Sequence, residues 1–365
     1  MYHRSLALAL GTVAVALGSP VKRYPCTEVQ IPISVSVPRF IINTTIEDNW
    51  DATAFTFNLT RRDSATDAIL VAGSTSSSIN STYTVGATLC GHGGPTLVLT
   101  HGIIESKLYW RPNLDNATQY SFVDAAIAAG YSVLSYDRIG VGSSSMIDSF
   151  SDAQFQVETA VLNSLVDYAR TVGNASQVAL FGHSYGAYLS AASASETDVD
   201  AVILTGFSGK LDYFGPFLAG SGFRVANIED PARWGALDSG FLTTSDLYAE
   251  TFAYYAEPYF EHRMAEWSYA VSSEPFGAAE LLSLLHTTVR FENIAAPVLM
   301  LQGQYDVSAC GGDCVGLLDS FVANFTTSKA VKIVDDLPAG HNLNLHKIAP
   351  QAFEIVFDFL KEQGV

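Results

Sequence analysis

The feature that most constrains the fold of this chain is the sequence Gly-His-Ser-Tyr-Gly at residues 182–186, with its serine at Ser184. Strand-forming residues 178–181 precede it, and a helix-compatible run at 187–194 follows it. A Gly-x-Ser-x-Gly turn between a strand and a helix lifts the serine hydroxyl above the edge of a sheet, where a substrate can reach it. Because five residues of this kind also occur by chance, the surrounding segments must decide whether the turn is functional.

Apolar strands alternate with helical segments on both sides of this turn. Strands are predicted at 96–100, 131–136, 178–181, 201–205, 298–301 and 330–334, and helices at 118–129, 153–172 and 350–361. Apolar strands separated by helices are typical of a mostly parallel sheet that is buried on both faces. The sequence therefore predicts an α/β fold, in which helices cover both faces of a mostly parallel sheet.

Two segments with alternating apolar residues precede this pattern. The alternating residues are Val29, Ile31, Ile33, Val35 and Val37 in the first segment, and Phe55, Phe57 and Leu59 in the second. A period of two is the pattern of half-buried strands. We therefore expect both segments to be antiparallel strands at the N-terminal side of the sheet.

The alternation of strands and helices stops between residues 207 and 291, where aromatic residues are frequent. Helical stretches with interspersed glycines and prolines fit this segment better than strands do. We interpret it as a helical cap that is inserted into the sheet domain and lies over the edge of the sheet. Most of its aromatic side chains are expected to pack inside the cap, and a few to face the site.

The beginning of the chain predicts secretion. A positive charge at Arg4, the apolar stretch 6–17 and the small residues after it form the pattern of a signal peptide. The apolar stretch is too short to span a membrane comfortably, so no integral membrane segment is expected in the mature chain. A dibasic pair then predicts processing, which divides the chain into a signal peptide with a short pro-segment at 1–23 and a mature domain at 24–365.

Two further features are typical of a secreted protein. Asn-x-Ser/Thr triplets, which are acceptors for glycosylation, occur at Asn43, Asn58, Asn80, Asn116, Asn174 and Asn324. The chain also has 4 cysteines, an even number that suits disulfides in an oxidising compartment. We favour the pairs Cys26–Cys90 and Cys310–Cys314, because the second pair encloses only three residues. No metal site is expected, since Cys26 and Cys90 are too far apart for a four-cysteine zinc site.

The charge of the chain bears on its partners. Lys and Arg number 19 against 37 Asp and Glu, which gives a formal net charge of −18 at pH 7. Such acidity argues against nucleic acid and anionic membranes as partners. A charge of this size ordinarily serves solubility, and a small-molecule substrate is the partner that we expect.

Serine chemistry needs a base and an acid, and both follow Ser184 in the chain. A serine hydroxyl becomes a nucleophile when a histidine takes its proton, and that histidine needs a carboxylate on its other nitrogen. Asp306 follows the predicted strand 298–301, and His341 follows the strand 330–334. Because parallel strands end at the same edge of a sheet, we expect the three side chains to meet there.

These segments resemble the α/β-hydrolase superfamily, in its form with one domain and an inserted cap. The matching stretches lie at 97–102, 136–143, 182–186, 297–306 and 339–341, within about residues 95–362. The resemblance implies Ser184 as nucleophile, His341 as general base and acid, and Asp306 as orienting carboxylate. It also implies an oxyanion hole formed by the backbone N–H groups of Ile103 and Tyr185, and no cofactor. These motifs are specific for the fold and poorly specific for the substrate.

Alternatives to two of these residues stay open at the level of sequence. Asp313, between the cysteines of the second pair, competes with Asp306 as the acid. His346 competes with His341 as the base, although only His341 follows a glycine in the loop after the last strand. The other histidines near the site, His101 and His183, are interpreted as structural, and so is the Asp-Arg turn at 137–138.

The function favoured by the sequence is a secreted serine hydrolase that cleaves carboxylic esters of small to medium apolar substrates through an acyl-enzyme. An aminopeptidase of the proline-iminopeptidase type is weakened, because His-Gly-Ile-Ile-Glu at 101–105 replaces the His-Gly-Gly-Pro-Gly-like loop of those relatives. A lactonase or an acyltransferase would use the same triad. A non-enzymatic, hydrolase-like binding protein would be expected to lack a member of the triad, and none is missing here.

Overall fold

The computed structural model of the protein describes residues 23–60, 70–210 and 213–365. The predicted signal peptide and most of the pro-segment therefore lie outside the described residues. The strands are β1 Cys26–Val37, β2 Phe40–Ile42, β3 Val71–Ser74, β4 Ile79–Cys90, β5 Gly94–Thr100, β6 Ser132–Tyr136, β7 Ala175–His183, β8 Ala201–Thr205, β9 Arg224–Val225, β10 Phe241–Thr243, β11 Phe276–Gly277, β12 Val298–Gly303 and β13 Val331–Leu337.

Helices follow most of the longer strands. They are α1 Asn49–Thr60, α2 Phe122–Ala128, α3 Phe155–Thr171, α4 Tyr185–Glu196, α5 Phe214–Ser221, α6 Ala226–Glu229, α7 Pro231–Trp234, α8 Leu247–Tyr254, α9 His262–Trp267, α10 Ala278–Leu285, α11 Val307–Cys310 and α12 Ala349–Glu362. None of the helices in the described ranges is long and apolar enough to cross a membrane.

Within the described residues, eight strands form one sheet in the order β1-β4-β6-β5-β7-β8-β12-β13. The neighbours from β6 to β13 pair in parallel, whereas β1 and β4 are antiparallel at one edge. Helices α3 and α4 pack together on the central strand β7, and α2 and α12 form a second pair that contacts β6 and β12. The predicted mostly parallel sheet with helices on both faces is confirmed.

The first predicted N-terminal strand is confirmed, and it forms the edge of the sheet. Strand β1 pairs with β4 along its whole length, and its side chains alternate between buried and exposed, with Ile31, Ile33 and Val35 buried. The register places Cys26 opposite Cys90, and a disulfide joins these two residues. The N-terminal segment is thus fixed to the sheet by a hydrogen-bond ladder and by a covalent bond.

The second predicted strand is wrong, because its alternating residues lie on helix α1. The carboxylate of Asp48 accepts hydrogen bonds from the N–H groups of Trp50 and Asp51, at 2.8 and 3.1 Å, and so caps the first turn of this helix. The helix packs on α5 and β9, and it buries Ala52 and Phe55, which are three residues apart. The period of two in this short segment is coincidental, since packing against a distant segment decides its structure.

The segment 207–291 leaves the sheet after β8 and returns before β12, and we call it the cap. It contains α5 to α10, as expected for a helical insertion, but β9, β10 and β11 also form a small antiparallel sheet. That sheet is a correction to the prediction of helices alone. Its strands are two or three residues long, too short to give a detectable period in the sequence. The bounds of the cap stay a prediction.

The glycosylation triplets lie at the surface. Five of the six asparagines are exposed, and Asn58 is half-buried on α1. Accessibility of this kind is what an acceptor asparagine needs. Their glycosylation stays a prediction.

Candidate active site

The turn around Ser184 connects β7 to α4 and needs both of its glycines. Ser184 has φ 56° and ψ −123°, a backbone conformation that non-glycine residues rarely adopt. A Cβ on Gly182 would lie 2.2 Å from the Gly186 carbonyl oxygen, and a Cβ on Gly186 would lie 2.3 Å from the Thr100 carbonyl oxygen. The Gly-x-Ser-x-Gly pattern is therefore imposed by the close approach of backbone on both sides of the serine.

The structure brings the three predicted catalytic side chains to one edge of the sheet. Asp306 follows β12 and His341 follows β13, and the Nδ1 atom of His341 lies 2.7 Å from Oδ2 of Asp306. The other oxygen of Asp306 accepts a hydrogen bond of 2.7 Å from the N–H of Ala309, in the first turn of α11. His341 and Ser184 line the same cavity, and because Nδ1 faces the carboxylate, Nε2 of His341 is left for the serine.

The competing acid lies elsewhere. Asp313 is exposed in the loop that the second disulfide closes, and its carboxylate accepts a hydrogen bond from the N–H of Val315. The disulfide joins Cys310 to Cys314, so both cysteine pairs in the structure are those favoured from the sequence. Its loop also connects to the turn at Asp306, since the N–H of Gly312 donates to the Asp306 carbonyl oxygen at 2.9 Å.

The competing base is occupied by backbone groups. Nε2 of His346 accepts hydrogen bonds from the N–H groups of Ala256 and Gly340, at 3.1 and 3.0 Å. Its Nδ1 atom lies 2.8 Å from the carbonyl oxygen of Asn342. Burial lowers the pKa of His346 to about 4. This histidine therefore joins three loop segments as a neutral ring, and it has no nitrogen left for a substrate.

The two residues predicted to form the oxyanion hole lie beside Ser184, and their role stays a prediction. Ile103 and Tyr185 line the cavity together with Ser184, and neither N–H donates a hydrogen bond to any acceptor within the described ranges. Tyr185 is the first residue of α4, where backbone N–H groups have no intrahelical acceptor. A Cβ on Gly102 would lie 2.8 Å from Cβ of Ser184, so glycine is required where this loop passes the serine.

A second buried acid near the serine was not found from the sequence. Glu105 is 3% exposed, and its Oε2 atom accepts a hydrogen bond of 2.7 Å from the N–H of Gly102. Its Oε1 atom makes no hydrogen bond with any described residue and lies 3.5 Å from Nε2 of His183. Burial raises the pKa of Glu105 well above its usual value, although the Gly102 N–H opposes the shift. The sequence signal that could have identified Glu105 is its position directly after two isoleucines, in the loop 101–106. We call this loop the oxyanion loop, because it carries Ile103.

His183 is buried and structural, as interpreted from the sequence. Its Nδ1 atom lies 3.0 Å from Oγ1 of Thr205, and its Nε2 atom lies 3.3 Å from Oδ1 of Asn342. Its ring stacks on Tyr109, with ring centres 4.5 Å apart. Burial and the neighbouring His341 lower the pKa of His183 well below its usual value, so the ring is neutral.

The cavity beside Ser184 is apolar and small, with a volume of about 20 Å³. The cap contributes much of its wall, through Phe214, Phe217, Leu281 and Leu284. The cap also contacts the oxyanion loop directly. The hydroxyl of Tyr254 donates to the Ile103 carbonyl oxygen at 2.7 Å, and the hydroxyl of Ser106 donates to the Ser272 carbonyl oxygen at 2.9 Å.

Metal ligation does not compete with this interpretation in the part of the chain that the structure describes. Three or more His, Cys, Asp or Glu side chains are nowhere grouped so that they could hold a metal ion there.

Comparisons with known proteins bear on the fold and the family of the chain. A 1-acylglycerol-3-phosphate O-acyltransferase from Arabidopsis thaliana is 31% identical over 119 residues, which are 32% of this chain and 26% of that protein. The chain thus spans about a quarter of that relative's length. An esterase from Exiguobacterium antarcticum is 15% identical with a TM-score of 0.54, and the match covers 76% of this chain and 96% of that chain.

A structure of a carboxylesterase from Nitrososphaera gargenis is similar to the same extent. It is 16% identical, has a TM-score of 0.54 and covers 77% of this chain and 96% of that chain. At such low identity these two likenesses show the fold. The model of the alpha/beta hydrolase family matches residues 97–353, which is more than half of the chain. The resemblance found in the sequence is therefore confirmed, and this chain belongs to the alpha/beta hydrolase family.

Proposed function

We propose that the protein is a secreted serine hydrolase that cleaves carboxylic esters of small to medium apolar substrates through an acyl-enzyme. The observation that carries the proposal is the hydrogen bond of 2.7 Å between Asp306 and His341, in the same cavity as Ser184. A histidine whose Nδ1 faces a buried carboxylate is held in the tautomer that leaves Nε2 as a base. The family to which the chain belongs supports hydrolysis as the type of reaction.

The proposed reaction begins when His341 takes the proton of the Ser184 hydroxyl. The serine oxygen then attacks the ester carbonyl, and the Asp306 carboxylate stabilises the imidazolium that forms. The N–H groups of Ile103 and Tyr185 would donate to the oxyanion, each worth about 3 to 4 kcal/mol in other enzymes with such donors. His341 returns its proton to the leaving alcohol, and a water molecule, activated by the same histidine, releases the acid from Ser184.

The cavity supports apolar substrates of modest size. Its walls are formed mainly by isoleucine, leucine and aromatic side chains, and Ser308 is among the few polar residues next to the catalytic pair. Apolar pockets bind apolar acyl groups through the surface that they remove from water. The volume of about 20 Å³ is close to what one water molecule needs, so the cap side chains would have to move apart to admit an acyl group, which favours small groups over large ones.

The acidic residues of the cap do not favour an aminopeptidase. Glu257 pairs with His262 on the surface, and Glu261 pairs with Arg263 and accepts from the hydroxyl of Tyr120. Neither glutamate lines the cavity beside Ser184. The described residues that line this cavity include no Asp or Glu that could hold a substrate amine.

Secretion is proposed from the sequence and is supported by the disulfides. Disulfides persist in oxidising compartments, and the structure pairs all four cysteines, Cys26 with Cys90 and Cys310 with Cys314. Exposure of most of the acceptor asparagines agrees with glycosylation during export. Expression in a eukaryotic host tests this directly, because we expect the protein in the medium with a mass that falls after deglycosylation. Retention of an unglycosylated protein in the cells would contradict it.

Labelling by a fluorophosphonate probe tests the hydrolase proposal. We expect the purified protein to be labelled and its Ser184→Ala variant, with the same fold by circular dichroism, to remain unlabelled. A series of p-nitrophenyl esters from acetate to palmitate should show the highest kcat/KM for the shorter acyl chains. Absence of serine-dependent labelling would instead point to a binding protein, and preferred cleavage of proline-p-nitroanilide would point to an aminopeptidase.

A further inference from the structure

The peptide between Gly102 and Ile103 is held from its carbonyl side by two donors. The carbonyl oxygen of Gly102 lies 2.8 Å from Nδ1 of His101 and 3.3 Å from Nη2 of Arg138. Nε2 of His101 accepts a hydrogen bond of 3.0 Å from the N–H of Arg138. Because Nε2 is an acceptor, the proton of the neutral ring is on Nδ1, which therefore donates to Gly102.

The side chain of Arg138 is buried and charged. It is 1% exposed, and its Nη1 atom lies 2.7 Å from Oε2 of Glu158 and 2.6 Å from Oε2 of Glu280. A guanidinium keeps its proton in proteins, and burial with two carboxylates compensates its charge. Glu158 is on α3 and Glu280 is on α10, so this one side chain joins the sheet domain to the cap.

The same guanidinium contacts Tyr185 and the peptide that carries the N–H of Ile103. Its central carbon lies 4.8 Å from the ring centre of Tyr185, the second donor residue, whose hydroxyl also lies 3.4 Å from Oε1 of Glu158. It reaches the first donor through the Gly102 carbonyl oxygen, which belongs to the same peptide unit as the N–H of Ile103.

The geometry of a peptide explains how a contact with the Gly102 carbonyl oxygen acts on the N–H of Ile103. The carbonyl and the N–H of a trans peptide point in opposite directions in one plane. A cation on the carbonyl side therefore fixes the direction of the N–H and polarises it toward the cavity. Hydrogen bonds from a charged donor are about twice as strong as neutral ones, and a hydrogen bond in buried surroundings is electrostatically stronger than one in water.

We propose that Arg138 is a positioning residue for ester hydrolysis, which holds the Gly102–Ile103 peptide and Tyr185 so that their N–H groups meet the oxyanion of the transition state. This inference rests on the proposed function. The sequence pattern alone indicates a structural role for the Asp-Arg turn at 137–138. A purely structural Arg138 would stabilise the fold through Glu158 and Glu280 without any selective effect on the transition state.

The test compares Arg138→Met and Arg138→Lys with the wild type, using a short p-nitrophenyl ester. Loss of one oxyanion donor costs about 10²–10³ in kcat, and a misaligned donor should cost about 10 to 100-fold while KM changes little. The lysine variant keeps the charge without the planar fork, so we expect it to lie between the methionine variant and the wild type.

A reversible inhibitor separates positioning from folding. A trifluoromethyl ketone forms a tetrahedral adduct with a serine hydrolase and so resembles the transition state. We expect its Ki to rise in each variant by the same factor by which kcat/KM falls. Arg111→Met is the matched control, because Arg111 is also a largely buried arginine that pairs with a buried carboxylate, Asp124. It should lower the Tm and leave kcat and Ki unchanged.

The outcomes distinguish this inference from the proposed function. A wild type that is neither labelled nor active would overturn the proposed function itself. An active wild type with folded Arg138 variants of unchanged kcat and Ki would overturn only the role of Arg138. If Arg138→Met fails to fold, Arg138→Lys carries the comparison, because it retains the charge that the two glutamates require.

Discussion

Two buried pairs of a carboxyl group and a histidine lie beside Ser184, and they differ in how completely the carboxyl group is bonded. In the first pair, Asp306 contacts His341 at 2.7 Å and receives the N–H of Ala309 with its other oxygen. In the second pair, the closest contact of Glu105 to His183 is 3.5 Å, and one of its oxygens has no hydrogen bond within the described chain. The ring centres of the two histidines are only 4.8 Å apart.

The difference shows how two carboxyl groups near one serine can have different surroundings. Asp306 lies at the N-terminus of α11, where backbone N–H groups favour a negative charge. Glu105 has no such helix, and burial raises its pKa well above the usual value. Glu105 accepts a hydrogen bond from the Gly102 N–H, next to Ile103, and a raised pKa reduces its negative charge in that position. Two carboxyl groups in one site take different roles because of their surroundings.

Replacing each acid in turn is the strongest test of whether Asp306 and Glu105 have different roles. We expect Asp306→Ala to lower kcat by about 10⁴-fold, because the base loses its orienting partner. Glu105→Gln keeps the shape of a neutral carboxyl group, so its kcat should stay within about threefold of the wild type. Steady-state hydrolysis of p-nitrophenyl acetate measures both. Equal losses in the two variants would show that Glu105 is charged and shares the role of Asp306.

A third buried acid, Glu250 in the cap, makes the free energy of unfolding depend on pH. It is bonded by the hydroxyls of Thr244, Ser268 and Ser273, and burial raises its pKa to about 7. The folded protein then binds more protons than the unfolded chain between about pH 4.5 and 7, so stability falls as pH rises through that window. The loss amounts to about 3 kcal/mol at most.

Urea unfolding at pH 5 and pH 8 measures this effect. We expect Glu250→Gln to unfold with a smaller difference in free energy between the two pH values than the wild type. The Gln side chain keeps the size of the acid and one acceptor oxygen for the hydroxyls. Parallel pH curves for the two proteins would show that Glu250 is ionised in the folded state over this range.

Loss of the disulfide between Cys310 and Cys314 should change kcat less than the replacement of Asp306 does. The disulfide acts on Asp306 only through the loop that it closes, in which the N–H of Gly312 donates to the Asp306 carbonyl oxygen. Replacing Cys310 and Cys314 by serine should lower the free energy of unfolding by about 2 kcal/mol, as expected for so short a loop. The turn at Asp306 would loosen, and kcat should fall by less than about tenfold. Asp313→Ala, within the same loop, is the matched control and should leave kcat unchanged. A large loss of kcat in Asp313→Ala would reassign the acid to this loop.

The sequence predicted the central part of the fold for a physical reason. Ser184, Asp306 and His341 each follow an apolar strand, and parallel strands end at one edge of the sheet, so local patterns determine where these residues meet. Glu105 was missed because its burial depends on the cap above it, through Tyr254 and Ser272, which are far away in the chain. Distant packing also explains the error at α1, whose apolar residues alternate by coincidence and whose structure depends on contacts with the cap.

The edge strand β1 has a consequence for the behaviour of the protein at high concentration. It is the last strand on its side of the described sheet, and an exposed edge can pair with the edge of another molecule and start aggregation. Pro32 lies exposed in the middle of β1 and offers no N–H to a further strand. The charged side chain of Glu28 lies near the start of the same strand. Proline and charge at this edge therefore oppose the growth of the sheet from one molecule into the next.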